Sequence, residues 1–274
     1  MARGEVMKKR RYSKQSAWLL ILLAAFLFLS RNSGTIQQLF KGNIGAGIQS
    51  AKTVKKSVSD DKLAELTFKS GESAYINVNN GRSDLDPTQW KQNKIDYGQL
   101  DSLNRTTENI AFLERRNLVK SNTRTRQVWN PTGWHQKRLS IDGRQIEILN
   151  RGHLLAYSVT GKFDKDGNFN QNELGSLDNP KNLATQTEFS NQRTMQIFEE
   201  RVRNALAQNK KVIYKVSTVF KGDDLMPIGY HSQAISTDGS LNFNVFIWNV
   251  EPGVQFDYKT GRSTVDRNMR VAEN

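Results

Sequence analysis

His153 closes the tetrapeptide Asn150-Arg151-Gly152-His153, and Asn182, Gln186, Asn191, Glu199 and Arg203 follow it at fixed spacings, N-x3-Q-x4-N-x7-E-x3-R. An imidazole titrates near neutral pH and can take a proton from water, and a glycine before it lets the backbone present it to a bound phosphate. Amide and carboxylate oxygens suit a hard cation, and a guanidinium suits a phosphate. Such a set could hydrolyse a phosphodiester, which needs activated water, a cation where negative charge builds up, and a hold on the phosphate. A solvated helix face with an i,i+4 Glu199–Arg203 pair accounts for the last two residues equally well, but not for the amides.

The elements that must position these residues follow from periodicity. Arg138 to Leu149 alternates on both sides of Asp142-Gly143, which predicts a hairpin whose second strand runs into Asn150 and leaves His153 at a strand end. Met195, Phe198, Val202 and Leu206 form one apolar stripe, so a helix is expected from an N-cap at Ser190 through Ala207, with Asn191 in its first turn. At ~100° per residue, Asn191, Glu199 and Arg203 are expected on one polar face. Strands are expected at Ala74 to Gly81, Val212 to Val219 and Leu241 to Val250, with a helix from Thr106 to Val119 and a short one within Val54 to Phe68. The fold class is α+β.

Other groups have blander readings. His231, after Gly229 and Tyr230, is expected in a loop without a role. His135 lies beside Trp129 and Trp134; these rings could stack on bases, but filling the core or its edge is the preferred reading. Asp164, Asp166, Asn168 and Asn170 fail the spacing of a calcium loop, since Gly167 stands fourth and no glutamate stands twelfth. Gly42, Gly45 and Gly47 fit no phosphate-binding loop.

Forty Lys+Arg against 27 Asp+Glu give the 274-residue chain a formal charge of +13, which favours a polyanionic partner. Arg115, Arg116, Lys120, Arg124 and Arg126 are the cluster expected to follow a phosphate backbone. There is no cysteine, which excludes disulfides, thiolate metal sites and cysteine nucleophiles. Lys8, Lys9, Arg10, Arg11 and Lys14 precede an uncharged apolar run from Ala17 to Leu29 with no small-residue cleavage site after it. That pattern predicts a basic cytoplasmic region over 1–16, an uncleaved anchor over 17–30, a solvated tether over 31–70 and a catalytic domain over 71–274 outside the cell; cleavage would make it secreted.

Asn150-Arg-Gly-His153 with the series from Asn182 to Glu199 resembles the signature of the DNA/RNA non-specific endonucleases, the ββα-metal or His-Me-finger nucleases, whose motif is usually written DRGH. The likeness extends through Trp129-Asn-Pro-Thr-Gly-Trp-His-Gln136, Asn179 to Thr187 and Asn249 to Gly261, covers roughly residues 71 to 262, and is strongest to membrane-bound DNA-entry nucleases of Gram-positive cocci. It implies a ββα-metal fold with a central antiparallel sheet, cleavage of DNA and RNA to 5′-phosphate products, and Mg²⁺, with Mn²⁺ as a substitute. It further implies His153 as general base, Asn191 as the one protein ligand of the metal, Glu199 ordering water around the cation, Arg203 on the phosphate or leaving group, and Asn182 and Gln186 in support, with Arg151 and Asn150. The departure is Asn150 where the motif has Asp, which removes a negative charge beside the base. A rival expectation is a tethered receptor that captures DNA without cutting it; no immunity or inhibitor partner is deducible.

Overall fold

The computed structural model describes residues 59–120, 127–141, 143–173 and 177–272. The basic block, the apolar run, most of the expected tether, and Arg124 and Arg126 lie outside the described residues. By internal contacts the chain divides into residues 1–55 and 56–274, and the fold below is that of the second unit. Among the described residues no helix is long and apolar enough to cross a membrane.

The domain is α+β around a six-stranded sheet in the order β1-β10-β9-β8-β3-β2, with every neighbouring pair antiparallel. Its strands are β1 (Tyr75–Asn77), β2 (Lys94–Tyr97), β3 (Glu108–Leu113), β8 (Val212–Val219), β9 (Gly229–Ser236) and β10 (Asn242–Trp248). On one face the helix α2 (Gln196–Ala207) buries Phe198, Val202 and Leu206 against Tyr214, Tyr230 and Phe243. The other face is covered by the chain entering the domain: Leu63 of the short helix α1 (Asp60–Ala64) and Phe68 pack with Val219, Phe246, Trp248 and Met269. Residues 59–70, expected in the tether, are therefore part of the packed domain. Leu63 is buried, and a buried leucine is worth roughly 2 kcal/mol in transfer free energy alone.

Beside this sheet stand three two-stranded ribbons: β4 (Arg138–Ile141) with β5 (Arg144–Glu147), β6 (Leu149–His153) with β7 (Leu183–Thr187), and β11 (Val254–Asp257) with β12 (Arg262–Val265). The hairpin expected from Arg138 onward is present, but its second strand breaks at Ile148. β6 then takes β7 as its partner, which puts β6, β7 and α2 together as the expected ββα unit.

Three elements differ from expectation. The helix expected from Thr106 to Val119 is instead β3 and a 3-10 turn at Arg115–Asn117, because Ile110 to Leu113 is an apolar run filling a place between β2 and β8. The loop expected around His231 is β9, whose eight residues are all buried between β8 and β10. The strand expected from Ala74 to Gly81 runs only over Tyr75–Asn77, where it pairs with β10, and Asn79–Gly81 is a 3-10 turn.

Ser190 is not the helix cap. The helix begins at Glu188, where Thr187 Oγ1 accepts the Ser190 N–H at 3.1 Å and the Glu251 carboxylate accepts the Phe189 N–H at 2.8 Å. Burial pushes the Glu251 carboxyl up to about 8, against the opposing Phe189 N–H and with the charge of Glu188 adding to the rise. Unfolded, this group ionises near its ordinary 4.5, so its contribution to stability is full below that pH and is lost as pH rises through 8. Melting temperature should accordingly fall between pH 5 and 9 more steeply in the wild type than in Glu251→Gln; parallel curves would remove Glu251 as the cause.

Candidate active site

Within the ribbon of β6 and β7, Asn150 faces Gln186 and His153 faces Leu183. The glycine of the motif is required by this pairing: a Cβ on Gly152 would lie 2.2 Å from Gln186 Oε1 and 2.7 Å from its Cβ. Without one, Gln186 lies across β6, fully buried, and reaches the start of the helix. Its Oε1 accepts from Asn191 Nδ2 at 2.8 Å and its Nε2 donates to Ser190 Oγ at 3.1 Å.

Asn191 sits in a π-helical turn, Ser190–Met195, that precedes α2. In a regular α-helix the eight steps from Asn191 to Glu199 overshoot two turns by about 80°, so the shared face expected from the sequence would not form. A π turn closes i→i+5 bonds and takes up one additional residue, about 100° of phase, which brings the two side chains nearly into line. Both line one polar cleft of about 370 Å³, together with Asn150, Arg151, His153 and Gln127.

Each wall of the cleft is fixed from behind. His153 Nε2 lies 2.8 Å from the Leu177 carbonyl oxygen; a ring donating there carries its proton on Nε2 and has Nδ1 as its basic nitrogen. Asn191 spends Nδ2 on Gln186, which leaves Oδ1 as the oxygen it can offer a cation. Arg151 donates through Nε to the Trp129 carbonyl and through a terminal nitrogen to Asn130 Oδ1, both at 2.7 Å, while its guanidinium lies 4.6 Å from the Trp134 ring centroid. Asn150 Nδ2 is buried without a hydrogen-bond partner, an unspent donor suited to a phosphate oxygen or an ordered water. Glu199 is 3.5 Å from Arg203, which also reaches Ser158 Oγ at 3.4 Å.

The structure separates the expected site residues into those that line the cleft and those that support it. His153, Asn191, Glu199, Asn150 and Arg151 are brought together; Gln186 and Arg203 stand behind them. Asn182, expected in support of the site, is fully buried behind it. Its Oδ1 accepts from Asn109 Nδ2 and the Leu155 N–H, and its Nδ2 donates to the Leu155 carbonyl, fixing the turn that follows His153. Gln127, which no spacing singled out, lines the cleft and donates to the carbonyls of Arg151 and Leu177.

Of the expected basic cluster, the described members Arg115, Arg116 and Lys120 do not line this cleft. Arg116 pairs with Glu114, donates to Asn93 Oδ1 and stacks on Phe169 at 3.9 Å, while Arg115 donates to Asn209 Oδ1. Lys120 is exposed and does not line the cleft. His231 has a structural place, with Nδ1 2.6 Å from Asp60 Oδ1 and Nε2 2.7 Å from Asn244 Oδ1. His135 and Trp134 are half-buried, but Trp129, preferred as a core or core-edge ring, is 37% exposed.

A hard cation fits this donor set. Asn191 Oδ1 is turned over to the cleft by its own amide bond, Glu199 adds a carboxylate, and among the described residues no three carboxylates or imidazoles converge. A cation held so sparsely keeps much of its water and its charge for an anionic substrate.

Residues 86–237, more than half of the chain, match the family model described as DNA/RNA non-specific endonuclease. Among solved structures, NucA from Streptococcus agalactiae with magnesium ion bound is 30% identical, with a TM-score of 0.63 over 76% of this chain and 94% of that one. The same protein with no metal bound gives 29% and 0.62 over the same shares. Sda1 nuclease with bound zinc ion shares the fold at 19% identity, with a TM-score of 0.55 over 71% of this chain and 97% of that one.

Support and chemistry are separable by substitution. Asn182→Ala strands the Leu155 N–H and carbonyl and should cost about 2–4 kcal/mol in urea denaturation, whereas His153→Ala should stay within about 1 kcal/mol. Equal losses would contradict the division.

Proposed function

We propose that this chain, which belongs to the DNA/RNA non-specific endonuclease family, is a Mg²⁺-dependent endonuclease that cuts DNA and RNA with little sequence preference outside the cell. The observation that carries the reading is the opposed pair in one cleft: an imidazole tied down through Nε2, and an asparagine amide whose nitrogen is tied to Gln186. The structure of NucA with magnesium supports that ion here, and Mn²⁺ is the substitute to test.

In this reading His153 Nδ1 takes a proton from the attacking water, and the Leu177 carbonyl steadies the imidazolium through Nε2–H. The water oxygen bonds to phosphorus as the P–O3′ bond breaks, the departing O3′ takes a proton from solvent water, and the products carry a 5′-phosphate and a 3′-hydroxyl. Bound at Asn191 Oδ1, Mg²⁺ would neutralise the charge that builds on the phosphate oxygens and the leaving oxygen. Arg151, immobilised by Trp129, Asn130 and Trp134, holds the phosphate. Glu199 orders water in the cleft, and Arg203 positions Glu199 rather than touching the substrate. An amide in place of an aspartate at position 150 trades a repulsive charge for a donor, which suits the binding of an anion.

The basic N-terminus and the apolar run from Ala17 to Leu29 support a tether to the cell membrane, with the nuclease domain on the outer side. Digestion of plasmid and RNA by the full chain should require Mg²⁺ and stop with EDTA. His153→Ala and Asn191→Ala should each lower the rate by about 10²–10⁴. Intact nucleic acid in every lane, with DNA still retained on a filter, would replace the nuclease with a tethered DNA receptor.

A further inference from the structure

We infer that Trp129 is a stacking platform for an unpaired base of the substrate at the edge of the cleft, an inference that rests on the nuclease reading above. Trp129 is 37% exposed and its neighbour Val128 is 66% exposed, a pair of large apolar side chains offered to solvent and following Gln127, which lines the polar cleft. Exposed apolar residues scattered on a surface need no explanation, but this pair is held in place. Asp178 Oδ1 accepts the backbone N–H of Val128 at 3.1 Å and that of Trp129 at 3.0 Å. Arg151 grips the Trp129 carbonyl, and Gln127, two residues earlier, lines the cleft itself.

The anchorage ties the backbone that carries the indole to the cleft-lining groups. Leu177, whose carbonyl meets His153 Nε2, is the residue before Asp178, so adjacent residues fix the imidazole and the tryptophan segment. The guanidinium that would hold the scissile phosphate is bonded to the same tryptophan's backbone. A nucleotide whose phosphate lies on Arg151 is therefore held beside the fixed backbone of Trp129, from which the exposed indole can meet its base. Every base has a π face, so stacking adds affinity without sequence preference. Only a base free of its partner can stack, so the platform favours single-stranded or locally opened strands over intact duplex.

The test uses the full chain in EDTA, where binding is read without cutting, and a fluorescein-labelled thymidine 20-mer against a 20-base-pair duplex of mixed sequence. Trp129→Ala should weaken binding of the single strand roughly tenfold, Trp129→Phe should restore most of it, and duplex affinity should change less than threefold. A 20-mer of abasic sites should bind wild type and Trp129→Ala alike, because the backbone is kept and the stacking partner is gone. Unchanged affinity of Trp129→Ala for the thymidine strand, or an equal loss on the abasic strand, would overturn the platform while leaving Mg²⁺-dependent cutting by the wild type intact. A wild type that neither binds nor cuts would overturn the nuclease reading and the platform together.

Discussion

Gln186 lies across the bare Cα of Gly152, and the polar cleft of the domain is arranged around that contact. Any larger residue at 152 would push the glutamine off the strand, because its Cβ would meet Oε1 at 2.2 Å. The glutamine amide is a bridge with two committed ends. One steadies Ser190 in the first helical turns, and the other takes the Asn191 nitrogen so that the Asn191 oxygen faces the cleft. A missing side chain on β6 thus sets the orientation of an amide on the helix, and the motif's glycine matters as much as its histidine.

The helix meets this contact with a matching irregularity. Its first turns are wound as a π-helix, and its leading N–H groups are met by the Thr187 hydroxyl and a Glu251 carboxyl that burial keeps largely protonated. Regular winding would turn Glu199 away from Asn191. A π turn departs from regular α winding, and its surroundings hold it in place. Here the determinants are a strand on one side, the fully buried Met195 below, and Asn249, whose Oδ1 accepts the Thr187 N–H.

Much of this was legible in the sequence where the information is local. His153 at a strand end, the stripe of α2 and the strands β8 and β10 follow from short-range periodicity, and the spacing from Asn150 to Arg203 carries the family resemblance. What was not legible depends on partners distant in the chain. β9 is buried on both faces, so no alternation marks it, and its Ser232, Gln233 and His231 read as loop residues until β8 and β10 enclose them. β3 looked helical because nothing nearby shows that a sheet waits on both sides. Asn182 carried a motif position, but its bonds to Asn109 and Leu155 make it a structural clasp. A π turn has no residue signature of its own, and the cap at Thr187 lies at the end of the preceding strand, where strand and cap residues share the same type.

His231 joins α1 to the interior of the sheet. Asp60, at the start of the first described helix, meets an imidazole on β9, whose other nitrogen meets Asn244 on β10. Tension carried along the chain from its N-terminal side would reach this junction before any other part of the sheet. The junction thus stands between the incoming chain and β1, the three-residue edge strand that the chain reaches next. Because the imidazole bridges a carboxylate on α1 and an amide on β10, one buried side chain couples the seating of the entering segment to the interior of the sheet.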